Sequence, residues 1–274
     1  MIVDLHSHTF QSDGTLSPNE LIQLAHANHI DVFSITDHDT MSAYDNPSYD
    51  DEKMTVIPGV EISCQLDNTE LHVVGLGVEK NNSSLEKLLN SNQALRKERA
   101  EWIVARLIKI GEPDISHALD LIVTGDVICR THLAKALIHE GIVDSFEKAF
   151  KRYLARKGKV WRRAGWHGLA EVIDVIHQAG GKAILAHPTK YRFSSGRLRE
   201  VIRQFKEYDG DAIELNYSGI SPNHRAWLKR IAIEFNLAGS VGSDFHHPKQ
   251  TWAVPGRFSQ MDNEIVPVWQ EFAQ

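Results

Sequence analysis

Two cysteines, Cys64 and Cys129, are all that 274 residues contain. So few cannot build a disulfide framework, and they form no closely spaced metal-binding pair. The chain is therefore expected to rest on a hydrophobic core in a reducing compartment, the cytoplasm. No run of 18 or more apolar residues occurs, so no membrane association is expected. The first residues enter an apolar segment without a basic leader, which argues against secretion. Neither sign of charge dominates: 30 Lys and Arg stand against 36 Asp and Glu, for a net charge of −6. That balance does not suggest bulk electrostatic attraction to nucleic acid. No short repeat or low-complexity tract is present. With 42% hydrophobic residues the chain has enough apolar surface for one large α/β domain carrying an insertion. What it does have in excess is histidine, with 15 copies.

The segment Ile2-Val3-Asp4-Leu5 reads as a buried strand. Alternate side chains on a strand share a face, so His6 and His8 leave its end together. Two exposed histidines on a β-surface give the same pattern, so this pair alone defines no site. Ser17-Pro18-Asn19-Glu20 starts a helix, with Ser17 as cap, Pro18 in the first turn and Glu20 completing a capping box. Further strands are expected at 32–36, 55–63, 71–76, 182–186, 212–216 and 237–241. Between the fourth and fifth, apolar residues fall at helical spacing over 84–110 and 131–140. Asp144-Ser145-Phe146-Glu147 opens a third helix with a capping box. The chain thus divides into a core of 1–80 plus 158–274 and a helical insertion of 81–157, expected to serve as a lid or substrate domain. Seven βα units point to a parallel barrel or an open doubly wound sheet.

The ends of these strands carry one kind of chemistry. The first gives His6 and His8, and the loop after it gives Asp13; the second gives His38, the third Glu61, the fourth His72, the fifth His187 and the last Asp244 and His246. Any one of them reads equally as a satisfied core histidine or a solvated carboxylate. Together, at the strand-end face where catalytic residues gather, they read as metal ligands. One ion takes about four to six donors, so two or three ions sharing bridging groups are expected. Nitrogen and oxygen donors without thiolate suit Mn²⁺, with Zn²⁺ or Fe²⁺ as alternatives, over a Mg²⁺ or Ca²⁺ cage. Adjacent divalent ions acidify a bridging water and hold both oxygens of an in-line displacement, which is the chemistry of phosphoester or amide hydrolysis.

Asp4-Leu5-His6-Ser7-His8, Thr36-Asp37-His38-Asp39, Gly59-Val60-Glu61-Ile62, His72-Val73-Val74-Gly75, Leu185-Ala186-His187-Pro188 and Gly242-Ser243-Asp244-Phe245-His246, in this order, resemble the polymerase and histidinol phosphatase (PHP) family. The resemblance implies a distorted seven-stranded (β/α)7 barrel with a trinuclear metal centre. It assigns one ion to His6, His8, Glu61 and Asp244, a second to Asp13, His38 and His246, and a third to Glu61, His72 and His187, with Glu61 bridging. The insertion, with Cys129-Arg130-Thr131-His132-Leu133-Ala134, is similar to that of the 3′,5′-nucleoside bisphosphate phosphatases and related 5′→3′ exoribonucleases.

The function expected on this basis is hydrolysis of the 3′-phosphate of 3′,5′-bisphosphate nucleotides and trimming of short 5′-phosphorylated RNA, by attack of a metal-bridging hydroxide. Asp13, Asp244 and His246 are the candidate catalytic groups. Arg130 and His132 are the first candidates for holding phosphate, because a guanidinium fork matches phosphate oxygens. Arg96 and Arg99, three apart on one helix, form the second pair. Taken singly, each arginine reads as a solvated surface residue; the resemblance favours Arg99 and Arg130. The run from Lys151 to Arg163 contains no acid and interleaves Tyr153 and Trp161. It is either a solvated basic face or a track for an RNA backbone with stacked bases. A monomer is expected. The competing readings are a histidinol phosphate phosphatase and a non-catalytic metal- or RNA-binding module.

Overall fold

Pro58 divides what the sequence offers as one strand. The structure, a computed structural model, describes residues 1–45, 54–191, 193–259, 261 and 264–272. β1 (Val3–Asp4), β2 (Val32–Phe33) and β3 (Thr55–Val56) form a parallel three-stranded sheet. Ile57 still donates its N–H to the Phe33 carbonyl at 2.8 Å. Pro58 has no N–H to give, so that ladder stops. Gly59 then opens β4 (Gly59–Leu66), so close to the first sheet that a Cβ here would stand 2.4 Å from Ser34 Oγ.

β4 returns on itself. Asp67, in the left-handed region at φ 53°, and Asn68 make a two-residue turn into β5 (Thr69–Leu76), antiparallel to β4. β5 pairs antiparallel with β6 (Lys182–Leu185), after which β7 (Ala212–Tyr217) and β8 (Ala238–Gly242) add in parallel. Among the described residues, eight strands in two sheets thus stand where seven parallel strands were expected, because of the Pro58 break and the β4–β5 hairpin. Among the described residues no continuous ladder closes the sheets into a barrel. They meet at two seams: Leu5 donates to Val241 O at 3.0 Å with Ser7 bridging to Phe245, and His38 bridges to Glu61.

Helices cover the sheets. α1 (Pro18–Ala27) begins as the sequence predicts, with Ser17 and Glu20 exchanging both bonds of a capping box. α6 (Leu169–Gln178), α7 (Ser195–Glu207) and α8 (Pro222–Phe235) bury Val172, Ile176, Ile202, Phe205 and Leu228 in one core with Ile62, Val73, Leu185 and Ile213 of the larger sheet. Each such side chain contributes about 1.5–3 kcal/mol on burial, against helix propensity differences under about 1 kcal/mol, so packing decides where the helices sit.

Between β5 and β6 the described chain is helical. α2 (Ser83–Lys109) is capped by Asn82 and spans two cores. Leu85, Leu88 and Leu89 belong to the main core, whereas Ala100, Ile103 and Leu107 join a second one. That second core is completed by α3 (Ser116–Ile122), α4 (Arg130–His139), α5 (Phe146–Ala149) and the side chains of Tyr153 and Val160. α5 is capped by Ser145 and passes into a wide turn over Phe150–Leu154.

Candidate metal centre

The first strand reaches the seam between the sheets, and the chain is clamped there before it delivers any ligand. Asp4 is buried and accepts N–H bonds from Ser243 at 2.8 Å and Gly256 at 2.9 Å, tying the start of the chain to its last strand. Asp37 accepts from Thr9 N at 2.7 Å and Ser12 Oγ at 2.6 Å, which fixes the loop that presents Asp13. Gly14 is required in that loop, since a Cβ there would stand 2.3 Å from the His8 carbonyl oxygen. His187 and Asp244 sit at φ 29° and 54°, a left-handed backbone rare outside glycine. Such strain persists where surrounding contacts over-determine it, commonly at functional sites.

The side chains then converge. His6, His8 and Glu61 are wholly buried, with the two Nε2 atoms 3.1 Å apart and each 3.3 Å from Glu61 Oε2. Glu61 is the hub: Oε1 lies 2.9 Å from both His72 Nδ1 and His187 Nε2, and Oε2 lies 2.9 Å from His38 Nδ1. Asp13 Oδ1 lies 3.2 Å from His246 Nε2 and 3.8 Å from His38 Nε2. Asp244 Oδ1 lies 3.3 Å from His8 Nε2 and 3.6 Å from His6 Nε2. All nine predicted ligands are therefore brought together. Glu61 and His72 arrive from the antiparallel hairpin instead of from the ends of parallel strands, with Ser63 opposite His72 in the register.

The donor set fits divalent cations. Asp13 Oδ1, His38 Nδ1, Glu61 Oε2 and His187 Nδ1 are buried with no well-directed hydrogen bond among the described residues, the 2.9 Å and 3.2 Å approaches of His38 to Glu61 and of His246 to Asp13 being close in distance only. A folded protein seldom leaves such groups unsatisfied, and four in one cluster call for a further partner. Three overlapping sets have ligand atoms within 4.8 Å of one another: His8, Asp13, His38 and His246; His6, His8 and Glu61; and His38, Glu61 and His72. His8 thus adjoins two sets, and His38 adjoins the set expected to hold His72. Charge is arranged to suit. Burial alone would raise Glu61 and Asp13, but the surrounding imidazoles hold both well below the ordinary carboxylate range. Burial pushes His38 down to about 4, and burial with the neighbouring His246 lowers His8. Against burial, Glu214 raises His6 and Asp13 raises His246 to about 9 in the metal-free cluster, so those two give up a proton when a cation binds. Ionised carboxylates and neutral imidazoles are the forms that bind metal.

Two groups in contact with the ligands escaped the sequence reading. Glu214, buried on β7, takes His6 Nδ1 on Oε1 at 2.6 Å and the His187 N–H on Oε2 at 2.6 Å. That leaves His6 Nε2 to face the cluster, the arrangement typical of a metal-binding histidine. Its signal was a lone acid in the fully buried strand Ala-Ile-Glu-Leu-Asn-Tyr. Lys190 pairs with Asp244 Oδ2, and its Nζ stands 5.6 Å from the Tyr217 ring centre.

Beside the cluster lies a cleft of about 130 Å³ walled by Asp13, His38, Glu70, His72, Arg99, Arg130 and Trp166, among others. Arg99 and Arg130 grip opposite oxygens of Glu70, each at 3.0 Å, and Trp166 Nε1 donates to the same carboxylate at 2.7 Å. Thr131 Oγ1, on α4, donates to Asp13 Oδ2 at 2.8 Å and joins the helical region to the cluster. Arg96 also borders the cleft, but its donors are committed to Asp39 Oδ2 at 2.7 Å, Ser63 Oγ at 2.7 Å and Cys129 Sγ at 3.2 Å. His132 is buried and accepts the Cys129 N–H at 3.2 Å, away from the cleft lining. Tyr153 is fully buried with its hydroxyl on Glu112, so it offers no face to a base; the basic run's paired members include Arg162, bound to Glu98.

An α/β fold that gathers histidines and carboxylates at the seam of its sheets is the architecture of a metal-dependent phosphoesterase class. A sequence profile of the PHP domain matches residues 4–218, and the chain belongs to that family. It is 38% identical over 271 residues, 98% of each chain, to a 5′-3′ exoribonuclease of Haemophilus influenzae. It is 29% identical over 272 residues, 98% of this chain and 95% of the other, to a 3′,5′-nucleoside bisphosphate phosphatase of Chromobacterium violaceum. Among solved structures it superposes with a TM-score of 0.91 on an amidohydrolase from Chromobacterium violaceum with bound sulfate and no metal, at 28% identity over 99% of this chain and 95% of that one.

Proposed function

We propose that this protein is a metal-dependent phosphoesterase that removes the 3′-phosphate from 3′,5′-bisphosphate nucleotides and trims short 5′-phosphorylated RNA from its 5′ end. The observation that carries this reading is the nine-residue imidazole and carboxylate cluster adjoining a cleft walled by Arg99 and Arg130. Its likeness, over nearly its whole length, to a 5′-3′ exoribonuclease and a bisphosphate phosphatase supports it. We read the two sheets as the distorted seven-stranded barrel of the family, with 55–66 counted as one interrupted strand. In this reading 1–80 plus 158–274 form the phosphoesterase body and 81–157 the lid that contributes Arg99, Arg130 and Thr131.

When bound, two or three divalent ions, Mn²⁺ foremost and Zn²⁺ or Fe²⁺ also matching the donors, neutralise phosphate charge and acidify water at neutral pH. His6, His8, Asp13, His38, Glu61, His72, His187, Asp244 and His246 would hold them. Both substrates are cleaved at the same place, between the 3′-oxygen of the 5′-terminal nucleoside and phosphorus. Water supplies the new oxygen on phosphorus, and the 3′-oxygen departs with a proton. His246, raised to about 9 beside Asp13 when no ion holds it and kept in place through the 3.2 Å contact, delivers that proton, while Asp244, kept ionised by Lys190, steadies it. Arg99 and Arg130 receive the 5′-phosphate: each spends one nitrogen on Glu70 and keeps further N–H groups of its fork for a dianion. Arg96 and His132 shape that cleft from behind. The enzyme is read as a monomer of the reducing cytoplasm, where the buried thiols of Cys64 and Cys129 stay free; no described helix is long and apolar enough to cross a membrane.

The test is side-by-side turnover of adenosine 3′,5′-bisphosphate, a 5′-phosphorylated RNA oligonucleotide and histidinol phosphate, with and without Mn²⁺. Preference for the first two is expected. Preference for histidinol phosphate, or RNA bound but left intact with Mn²⁺ present, would overturn the reading.

A further inference from the structure

In a bisphosphate nucleotide the attacked phosphorus carries nothing beyond its oxygens, whereas in RNA it carries the rest of the chain. If the 5′-phosphate sits between Arg99 and Arg130, the remaining nucleotides must leave the cluster by another side. Arg99 and Arg130 adjoin His38, His72 and Asp13. A second hollow of about 260 Å³, sharing no wall residue with their cleft, is joined to the cluster through Lys190, which pairs with Asp244 and faces the Tyr217 ring. Its wall includes Tyr217, whose ring stands 5.6 Å from the Lys190 ammonium and whose backbone lies opposite Gly242, two residues before Asp244.

The hollow has the chemistry of a polynucleotide track. Trp252, six residues beyond His246, borders it and is 66% exposed, leaving its indole open to a stacking partner. Arg225 and Arg257 line it, and neither is paired with a carboxylate among the described residues. Ser218 Oγ, also on its wall, is buried without a hydrogen-bond partner among the described residues. A larger hollow shares Pro222 and Arg225 with the first and continues along α8 to Arg230. Aromatic faces beside cations suit single-stranded nucleic acid, because bases of any sequence stack and phosphates meet arginine. The run 151–163, which the sequence offered for this task, buries Tyr153 in the second core, with the helices between β5 and β6.

We propose that the hollow between 216–220 and 252–259, with Arg225, binds the RNA chain 3′ of the scissile phosphate, Trp252 stacking a base and Arg257 and Arg225 holding phosphates. This rests on the phosphoesterase reading above and adds what separates RNA trimming from hydrolysis of a mononucleotide. A bisphosphate nucleotide has no atoms to place there.

The experiment compares wild type, Trp252→Ala and Arg257→Glu on a 5′-phosphorylated RNA of several nucleotides and on adenosine 3′,5′-bisphosphate. For each variant, kcat/KM on RNA should fall by about tenfold or more, the scale of losing one stacked base or phosphate contact, with bisphosphate turnover within about twofold of wild type. Unchanged turnover of the nucleotide also reports that the variants are folded. A readout without turnover is the same RNA titrated into chelator-treated protein, where the indole fluorescence quenched in wild type should be missing in Trp252→Ala. Equal RNA turnover in all three proteins, or an equal loss on both substrates, would overturn the track. Wild type inactive on both substrates would instead overturn the phosphoesterase reading.

Discussion

Glu214→Gln removes one negative charge and no volume, which makes it a clean probe of how the cluster is held. The carboxylate accepts from two donors, His6 Nδ1–H and the His187 N–H, each at 2.6 Å. A glutamine amide has one accepting oxygen and one donating nitrogen, so one of these donors must face another donor. The bond lost is charge-assisted and worth about 1.5–3 kcal/mol, and Glu214 is buried, so water cannot replace it. His6 then loses the tautomer and orientation that aim Nε2 at the cluster. Metal affinity is expected to weaken by about 10–100-fold, the usual consequence of removing a carboxylate behind a metal-binding histidine. The assay is titration of chelator-stripped protein with Mn²⁺, read by competition with a fluorescent chelator and by turnover of adenosine 3′,5′-bisphosphate. Raised Mn²⁺ should restore most of the lost turnover. A variant that folds, judged by circular dichroism, and loads Mn²⁺ at the wild-type concentration would refute the reasoning.

The two arginine pairs should separate cleanly. Arg130→Ala is expected to lower kcat/KM on the bisphosphate by about 10–100-fold, as for a lost charged hydrogen bond, while the melting temperature barely moves. Arg96→Ala should do the opposite first: it strands the buried Asp39 carboxylate and costs about 3–5 kcal/mol, read by chemical denaturation; a stable Arg96→Ala protein would contradict its structural placement. His132 supplies a pH test in the metal-free protein. Burial holds its folded pKa down at about 4 from 6.5, so the unfolded chain takes up the proton first. Its contribution is present above pH 6.5 and is lost as pH falls toward 4, by up to about 3 kcal/mol. His132→Gln should therefore lose less stability than wild type between pH 7 and pH 4.5 in urea melts, and equal losses would count against it. Prolonged chelation should abolish turnover, and Mn²⁺ should restore it.

Much of the site was legible because the ligands sit in local patterns: His6 and His8 two apart, Asp244 and His246 two apart, and single histidines closing apolar runs. The hairpin was not, since β5 reads the same in either direction and only the Asp67-Asn68 turn distinguishes an antiparallel return from a crossover. Pro58 was visible as a strand breaker but lay in a run otherwise apolar enough to read through. Glu214 looked like an ordinary polar position of an alternating strand, yet all six residues of β7 are buried. Arg96 and Arg99 are adjacent on α2, but only tertiary contacts show Arg96 spent on Asp39 and Arg99 turned to Glu70. The basic run failed for a related reason: Tyr153 is spent on the core of the helical region, a use no linear pattern reports.

The central claim is that strand tips distant in sequence share several cations that make the chain a phosphoesterase. Elemental analysis of the purified protein, paired with bisphosphate turnover before and after chelation, tests it most directly. The account predicts two or three divalent ions per chain, with activity that leaves and returns with them. Full activity in protein stripped of metal would contradict it.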